Sequence, residues 1–254
     1  MKRFDALFKH QIHLMFISAS TYFAAFLFLA FMGIMYVLAL MDVSSGGGSQ
    51  SATEKFLSVF WVPVLFMVPL LTMRSLSEER RMGTLGTLMS TPIRAWQVVA
   101  AKFLACYFFY VLLWLLTLAY MFVAQYYLPQ GLAGSNNFEP AQVFTGYLFI
   151  FVSGLTYIAI GIFASSLTRT TFVAGMLSFA MLFFAIVGSG ILSKFVVGDA
   201  YMSWLSGPME YMQTFKHLED FSNSLLDTRP FFFYISTACL LLGLTSLITE
   251  SKSS

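Results

Sequence analysis

Six stretches of this sequence run for 18 residues or more without Asp, Glu, Lys, Arg or His: Leu14–Met41, Phe56–Met73, Phe103–Tyr127, Ala141–Thr168, Thr170–Ser193 and Pro230–Thr249. A hydrocarbon core about 30 Å thick is crossed by about 20 apolar residues in a helix. In lipid a helix satisfies all its backbone hydrogen bonds within the segment. The expected fold class is therefore all-α, a polytopic membrane protein with six transmembrane helices in a single domain over residues 1–254. Composition agrees. Charged residues make up 10% of the chain, against about 25% in a soluble domain, too few to cover a surface in water.

The first run is too long for a secretory signal. It stays uncharged over about twice the 7–15 residues of an h-region, and no small-residue cleavage site follows, so it reads as a retained span. The second run is the shortest and contains Pro63 and Pro69, which predict kinks. Only Arg169 and its threonine neighbours separate the fourth and fifth runs, which predicts a tight helical hairpin. Ahead of the first run, helical spacing over Lys2–Met15 gathers Phe4, Leu7, Phe8, Ile12, Leu14 and Met15 on one side, with Lys2, Asp5, Lys9, His10 and His13 opposite. That is the pattern of a helix lying in the membrane interface.

Cations orient the bundle. With the N-terminus inside, ten of the fourteen (Lys2, Arg3, Lys9, Arg74, Arg80, Arg81, Arg94, Lys102, Arg169 and Lys252) fall on the cytoplasmic side, and Lys55, Lys194, Lys216 and Arg229 outside. The expected location is a bacterial inner membrane with both termini cytoplasmic. Of the three connections that then lie outside, two can be read. Ser44–Ser51 is a Gly/Ser linker, and 194–229 is a long aromatic segment with Tyr201, Trp204, Tyr211 and Phe215, expected to hold short helices at the outer interface.

The loop over 74–94 carries the most information. It packs Arg74, Glu78, Glu79, Arg80 and Arg81 ahead of Gly83-Thr84-Leu85-Gly86-Thr87-Leu88-Met89 and Pro92. Thr84 suits a helix N-cap, Leu85, Leu88 and Met89 form an apolar stripe, and Pro92 stops the piece. A short amphipathic helix under the membrane is expected, shaped as a docking knob for a cytosolic partner. Arginines at a span end are more often simple topogenic anchors. The ordered run Met-Arg, Glu-Glu-Arg-Arg, Gly-Thr-Leu, then Pro favours the functional reading.

Pro69–Lys102 resembles the signature of type-2 ATP-binding cassette (ABC) transporter permeases, where Met-Arg, Glu-Glu-Arg, Gly-Thr-Leu-Glu and a later Pro recur between the second and third spans. His217–Phe221 and Leu226–Arg229 resemble the segment before the sixth span in the gliding-motility and export branch. The resemblance implies that the short helix is a coupling helix seated in a cytosolic ABC ATPase. Glu78, Glu79, Arg80, Gly83, Thr84, Leu85, Leu88 and Pro92 would form that contact. Gly86 stands where the family usually has Glu. A carboxylate there would favour the helix N-terminus by about 0.3–1 kcal/mol, so Glu78 and Glu79 are left as the acidic contacts. The resemblance also implies a second permease subunit, as a homodimer or heterodimer, and membrane lipid as surroundings. ATP and magnesium would be held on the partner ATPase, with no cofactor on this chain.

Several rival functions lack their chemistry. The three histidines, His10, His13 and His217, all lie outside the six runs, so an intramembrane hydrolase has no base. Ser189 reads as a packing serine. No ionisable residue sits within a run, as ion-coupled transport generally requires, and there is no Walker A loop. Nor is there a basic run to follow nucleic acid. The fifteen methionines are scattered as core packing, not as copper ligands, and Cys106 and Cys239 read as small apolar residues. Gly154, Gly161, Ala164 and Ser165 have the spacing of a close helix contact, within the bundle or between subunits. The expected function is the membrane-spanning permease subunit of an ATP-driven exporter of amphipathic or lipid-linked cargo. The alternative is a non-transporting anchor that relays the ATPase stroke to an external protein partner through 194–229.

Overall fold

The computed structural model describes residues 2–44, 51–84, 94–127, 140–188, 190–191, 214–222 and 228–251, with no strand among them. Ten α-helices follow along the described chain: α1 (Lys2–Ile17), α2 (Ala19–Ser44), α3 (Ala52–Ser58), α4 (Trp61–Thr72), α5 (Ser77–Arg81), α6 (Ala95–Tyr127), α7 (Pro140–Leu167), α8 (Thr171–Phe183), α9 (Thr214–Ser222) and α10 (Arg229–Ser251). Five are long and apolar enough to cross a membrane: α2, α6, α7, α10, and α8 taken with its π-helical extension Phe184–Gly188. The remaining apolar run, the second, is broken. α3 and α4 are bent by 45° to each other, and the spans number six when this pair counts as one.

The two prolines of that run act differently. Pro63 has no N–H to give to Val59, and the chain turns there through short bonds, Phe60 N to Leu57 O and Val62 N to Val59 O, both 3.1 Å. Pro69 is carried inside α4 without a break. So one proline marks the bend and the other does not.

Two helix boundaries depart from the apolar runs. The first crossing helix begins at Ala19 and not at Leu14: α1 closes at Ser18, whose N–H is shared between Leu14 O and Met15 O at 3.1 and 3.3 Å. α6 starts at Ala95, well ahead of Phe103, and passes through the charged Lys102. At 33 residues and 1.5 Å per residue it is about 50 Å long, so it projects beyond the hydrocarbon. α1 packs against α6 through most of the side predicted to be apolar, while Leu14, placed on that side by the spacing, is exposed. Met15 is buried and Phe8 and Ile12 are partly buried against the core, while Lys9, His10 and His13 face out.

The core is built around α7, where 18 of 28 residues are buried. Its small residues form a seam. A Cβ at Gly146 would lie 2.4 Å from Leu57, at Gly154 2.3 Å from Tyr110, and at Gly161 2.3 Å from Thr72 Oγ1. The small-residue spacing therefore serves close approach within the bundle, to α3, α6 and α4 in turn. Hydroxyls bridge the same helices: Tyr110 donates to Ile150 O at 3.2 Å, Thr156 to Tyr234 O at 2.7 Å, and Thr117 and Tyr147 meet at 2.6 Å. Met32, Met67 and Met121 are buried in the core.

The outer surface is the reverse of a soluble protein's. Phe26, Phe172, Phe232 and Leu247 are each more than 60% exposed, a surface suited to lipid. At the end of the bundle opposite α5, α9 packs on α7 and α3 and buries Leu218 and Phe221. It is one of the short helices expected within 194–229. Gly46–Gly48 and Ser189 lie outside the described residues.

Candidate functional site

α4 ends at Thr72, and Met73–Leu76 turns the chain into α5. The Ser77 hydroxyl donates to Met73 O and fixes the turn. Glu78 and Glu79 occupy the first turn of α5 and Arg80 and Arg81 its last, the order that opposes the helix dipole at both ends. Gly83 follows at φ +69°, with Met82 N bonded to Glu78 O at 3.0 Å and Gly83 N to Arg80 O at 3.3 Å. Glycine is required there for its conformation, since no atom stands within 4 Å of a Cβ built at Gly83. The Thr84 hydroxyl donates back to Glu79 O at 3.3 Å. The residues that Thr84 is expected to cap lie outside the described residues.

This short element is keyed into the bundle at two points. The first is Lys102, whose side chain is 5% exposed. Its ammonium has three N–H groups to place, and the geometry offers three oxygens: Glu79 Oε1 at 2.7 Å, Ser75 O at 2.6 Å and Gln11 Oε1 at 3.5 Å. They belong to α5, to the α4–α5 turn and to α1. A buried ammonium is costly unless paired and hydrogen-bonded, so this set ties three elements to α6.

The second key is Ser165 on α7, fully buried. Its hydroxyl accepts from Leu76 N and Ser77 N, both at 3.0 Å, and donates to Met73 O at 3.3 Å. The first N–H groups of a helix need an outside partner. Leu76 supplies no side-chain cap, and a hydroxyl from α7 takes the role. One turn back along α7, Gly161 lets Thr72 approach.

Arg80 is half-buried, with Nε and Nη2 enclosed and without a hydrogen-bond partner. Burial lowers its pKa, and the nearby Arg169 guanidinium in the α7–α8 turn lowers it further. Arg74 and Arg81 are exposed, and Glu78 is half-buried.

Of the residues singled out in the sequence, Glu79 is joined to the core, Arg80 lies beside Arg169, and Glu78 and Thr84 border a cavity with Lys102. Leu85, Leu88 and Pro92, with Gly86 and Met89, lie outside the described residues. Gln11, Ser75 and the anchoring role of Ser165 are not evident in the sequence. Lys102 had one visible sign, being the last charge before a long apolar run. Among the described residues no group of three or more His, Cys, Asp or Glu side chains is placed to hold a metal. The arrangement is a charged turn bonded to α1, α6 and α7.

Comparison with curated proteins gives no match. A family model described as ABC-2 family transporter protein matches residues 11–238, which takes in Gln11, the α4–α5 turn, Lys102 and Ser165. The chain belongs to the ABC-2 transporter family, and is a membrane-spanning permease subunit of that type.

Proposed function

We propose that this permease works with a separate cytosolic ABC ATPase, and that the segment from Glu78 to Pro92 receives its stroke. The observation that supports this best is the double attachment of α5. A push on α5 is carried to α6 by the Glu79–Lys102 pair and to α7 by Ser165. An element that served only as a topogenic anchor needs no such attachment. In this reading the α5 end of the bundle faces a bacterial cytoplasm, as the ten-to-four division of cations favours. ATP and magnesium are held by the partner, and two permease subunits assemble with two ATPases.

The cargo in this reading is amphipathic or lipid-linked and is exported. The six apolar runs hold no Asp, Glu, Lys, Arg or His with which to bind an ion, the buried Lys102 of α6 being already paired with Glu79, while the outer faces of the crossing helices are apolar. The test is co-purification with an ATPase encoded beside this chain. Wild-type chain retains the ATPase, and Leu85→Asp with Leu88→Asp loses it. Unchanged retention by the double variant overturns the coupling assignment. ATP-dependent movement of a fluorescent lipid in proteoliposomes tests cargo and direction.

A further inference from the structure

We propose that the face between α2 and α4 is a binding site for one phospholipid whose headgroup carries a phosphate and a primary ammonium. Two adjoining spaces form it. A half-open cavity of about 390 Å³ lies between α1, the start of α2, the α4–α5 turn and α6, walled in part by Thr21, Arg74, Ser75, Glu78, Glu79 and Lys102. An almost wholly apolar groove of about 300 Å³ continues between α2 and α4, walled by residues such as Ala24, Phe31, Val62 and Phe66. Leu70 is in the wall of both. From Thr21 to Phe31 is ten residues of helix, about 15 Å at 1.5 Å per residue. That is half of a hydrocarbon core of about 30 Å, the depth of one leaflet. A polar chamber thus opens where headgroups lie, and an apolar channel of acyl-chain length leads away from it.

The charges select the headgroup. Lys102 and Glu79 Oε1 satisfy each other. What is left over is one cation, Arg74, with a 3.4 Å bond to Ser18 Oγ, the carboxylate of Glu78, and one enclosed oxygen with no hydrogen-bond partner among the described residues, Glu79 Oε2. Glu79 Oε2 is an enclosed acceptor, so leaving it unpaired costs free energy that an N–H of a ligand would recover. A guanidinium suits a phosphate. A primary ammonium can donate to Glu79 Oε2 and to the Glu78 carboxylate. A quaternary ammonium has no hydrogen to give, and a purely anionic headgroup would be repelled by Glu78. The site needs no ATPase and stands independently of the coupling assignment.

The full chain in nanodiscs tests this. Trace lipids carry a photoreactive group in the acyl chain and a phosphoethanolamine, phosphocholine or phosphoglycerol head, and labelled peptides are mapped by mass spectrometry. Phosphoethanolamine lipid should label residues 19–44 and 61–72 about fivefold more than the other two, the ratio given by about 1 kcal/mol. Arg74→Gln with Glu78→Gln, neither of them a fully buried side chain, should erase that preference. Ala24→Trp, which fills the groove, should reduce labelling by every head. Equal labelling by the three heads in wild type means annular lipid only and overturns the proposal. Preference for phosphoglycerol, or a preference that survives Arg74→Gln with Glu78→Gln, does the same.

Discussion

Lys102 Nζ lies 2.7 Å from Glu79 Oε1 and is almost wholly enclosed. One end of the pair sits in a membrane-crossing helix and the other in a five-residue helix outside it. Removing one partner leaves the other charge buried and unmatched, which costs about 3–5 kcal/mol in a fully buried pair. Glu79 keeps 23% of its side chain exposed, so Lys102→Met is expected to cost less, about 2–3 kcal/mol. Adding Glu79→Gln should restore part of that loss. Thermal unfolding of the two single variants and the double in nanodiscs gives the cycle. Additive losses would mean that the two charges do not act as a pair.

Ser165 offers a second, uncharged handle on the same element. Ser165→Ala removes the acceptor of Leu76 N and Ser77 N and leaves two enclosed donors unpaired, at about 1–3 kcal/mol each at most. The loss should be local. Amide hydrogen exchange over Leu76–Arg81 should accelerate at least tenfold, while exchange in α10 is unchanged. Uniform acceleration along the chain would mean that Ser165 supports the bundle as a whole and not α5 in particular.

How much of this was legible in the sequence follows from the solvent. Lipid forbids unpaired backbone, so each crossing segment must be a long apolar run, and such runs are visible without a structure. The broken second crossing was half visible. Pro63 and Pro69 look alike in the sequence, and only the turn at Ser58–Trp61 distinguishes them. α1 ends at Ile17, within an apolar run, and hydropathy alone does not mark that break. The site was less legible for a related reason. Glu79 and Lys102 are each visible as charges near span ends. That they neutralise each other, with Gln11 behind them, depends on how α1 and α5 pack against α6, which no local pattern encodes. Ser165 was visible as a small residue, and its capping of a distant helix was not.

The glycine seam of α7 separates steric need from helix preference. At Gly161 an added Cβ would meet Thr72 Oγ1 at 2.3 Å and the Thr72 Cβ at 2.9 Å, while Gly243 on α10 has nothing within 4 Å. Gly161→Ala is therefore expected to destabilise by about 1–3 kcal/mol through overpacking, and Gly243→Ala to be neutral or to stabilise by at most about 1 kcal/mol. Thr72→Ala in the Gly161→Ala background should recover most of the loss. Thermal unfolding checks all three, and equal effects at Gly161 and Gly243 would contradict the seam.

Arg80 tests whether the α5 surface serves the fold or a partner. Burial and the neighbouring Arg169 both disfavour its charged form, so the folded pKa lies below the unfolded one. For a base this sign means that the folded state loses stability as pH falls through the depressed pKa and regains it only above. At neutral pH the charge is thus carried at a net cost to folding, with Nε and Nη2 enclosed and unpartnered. Arg80→Gln should leave the thermal unfolding midpoint unchanged or raise it, and Arg169→Gln should act in the same direction more weakly. If α5 is the seat of an ATPase, Arg80→Gln should at the same time weaken co-purification with that partner. A lower midpoint in Arg80→Gln would show that the guanidinium holds the fold, and would remove Arg80 from the partner contact.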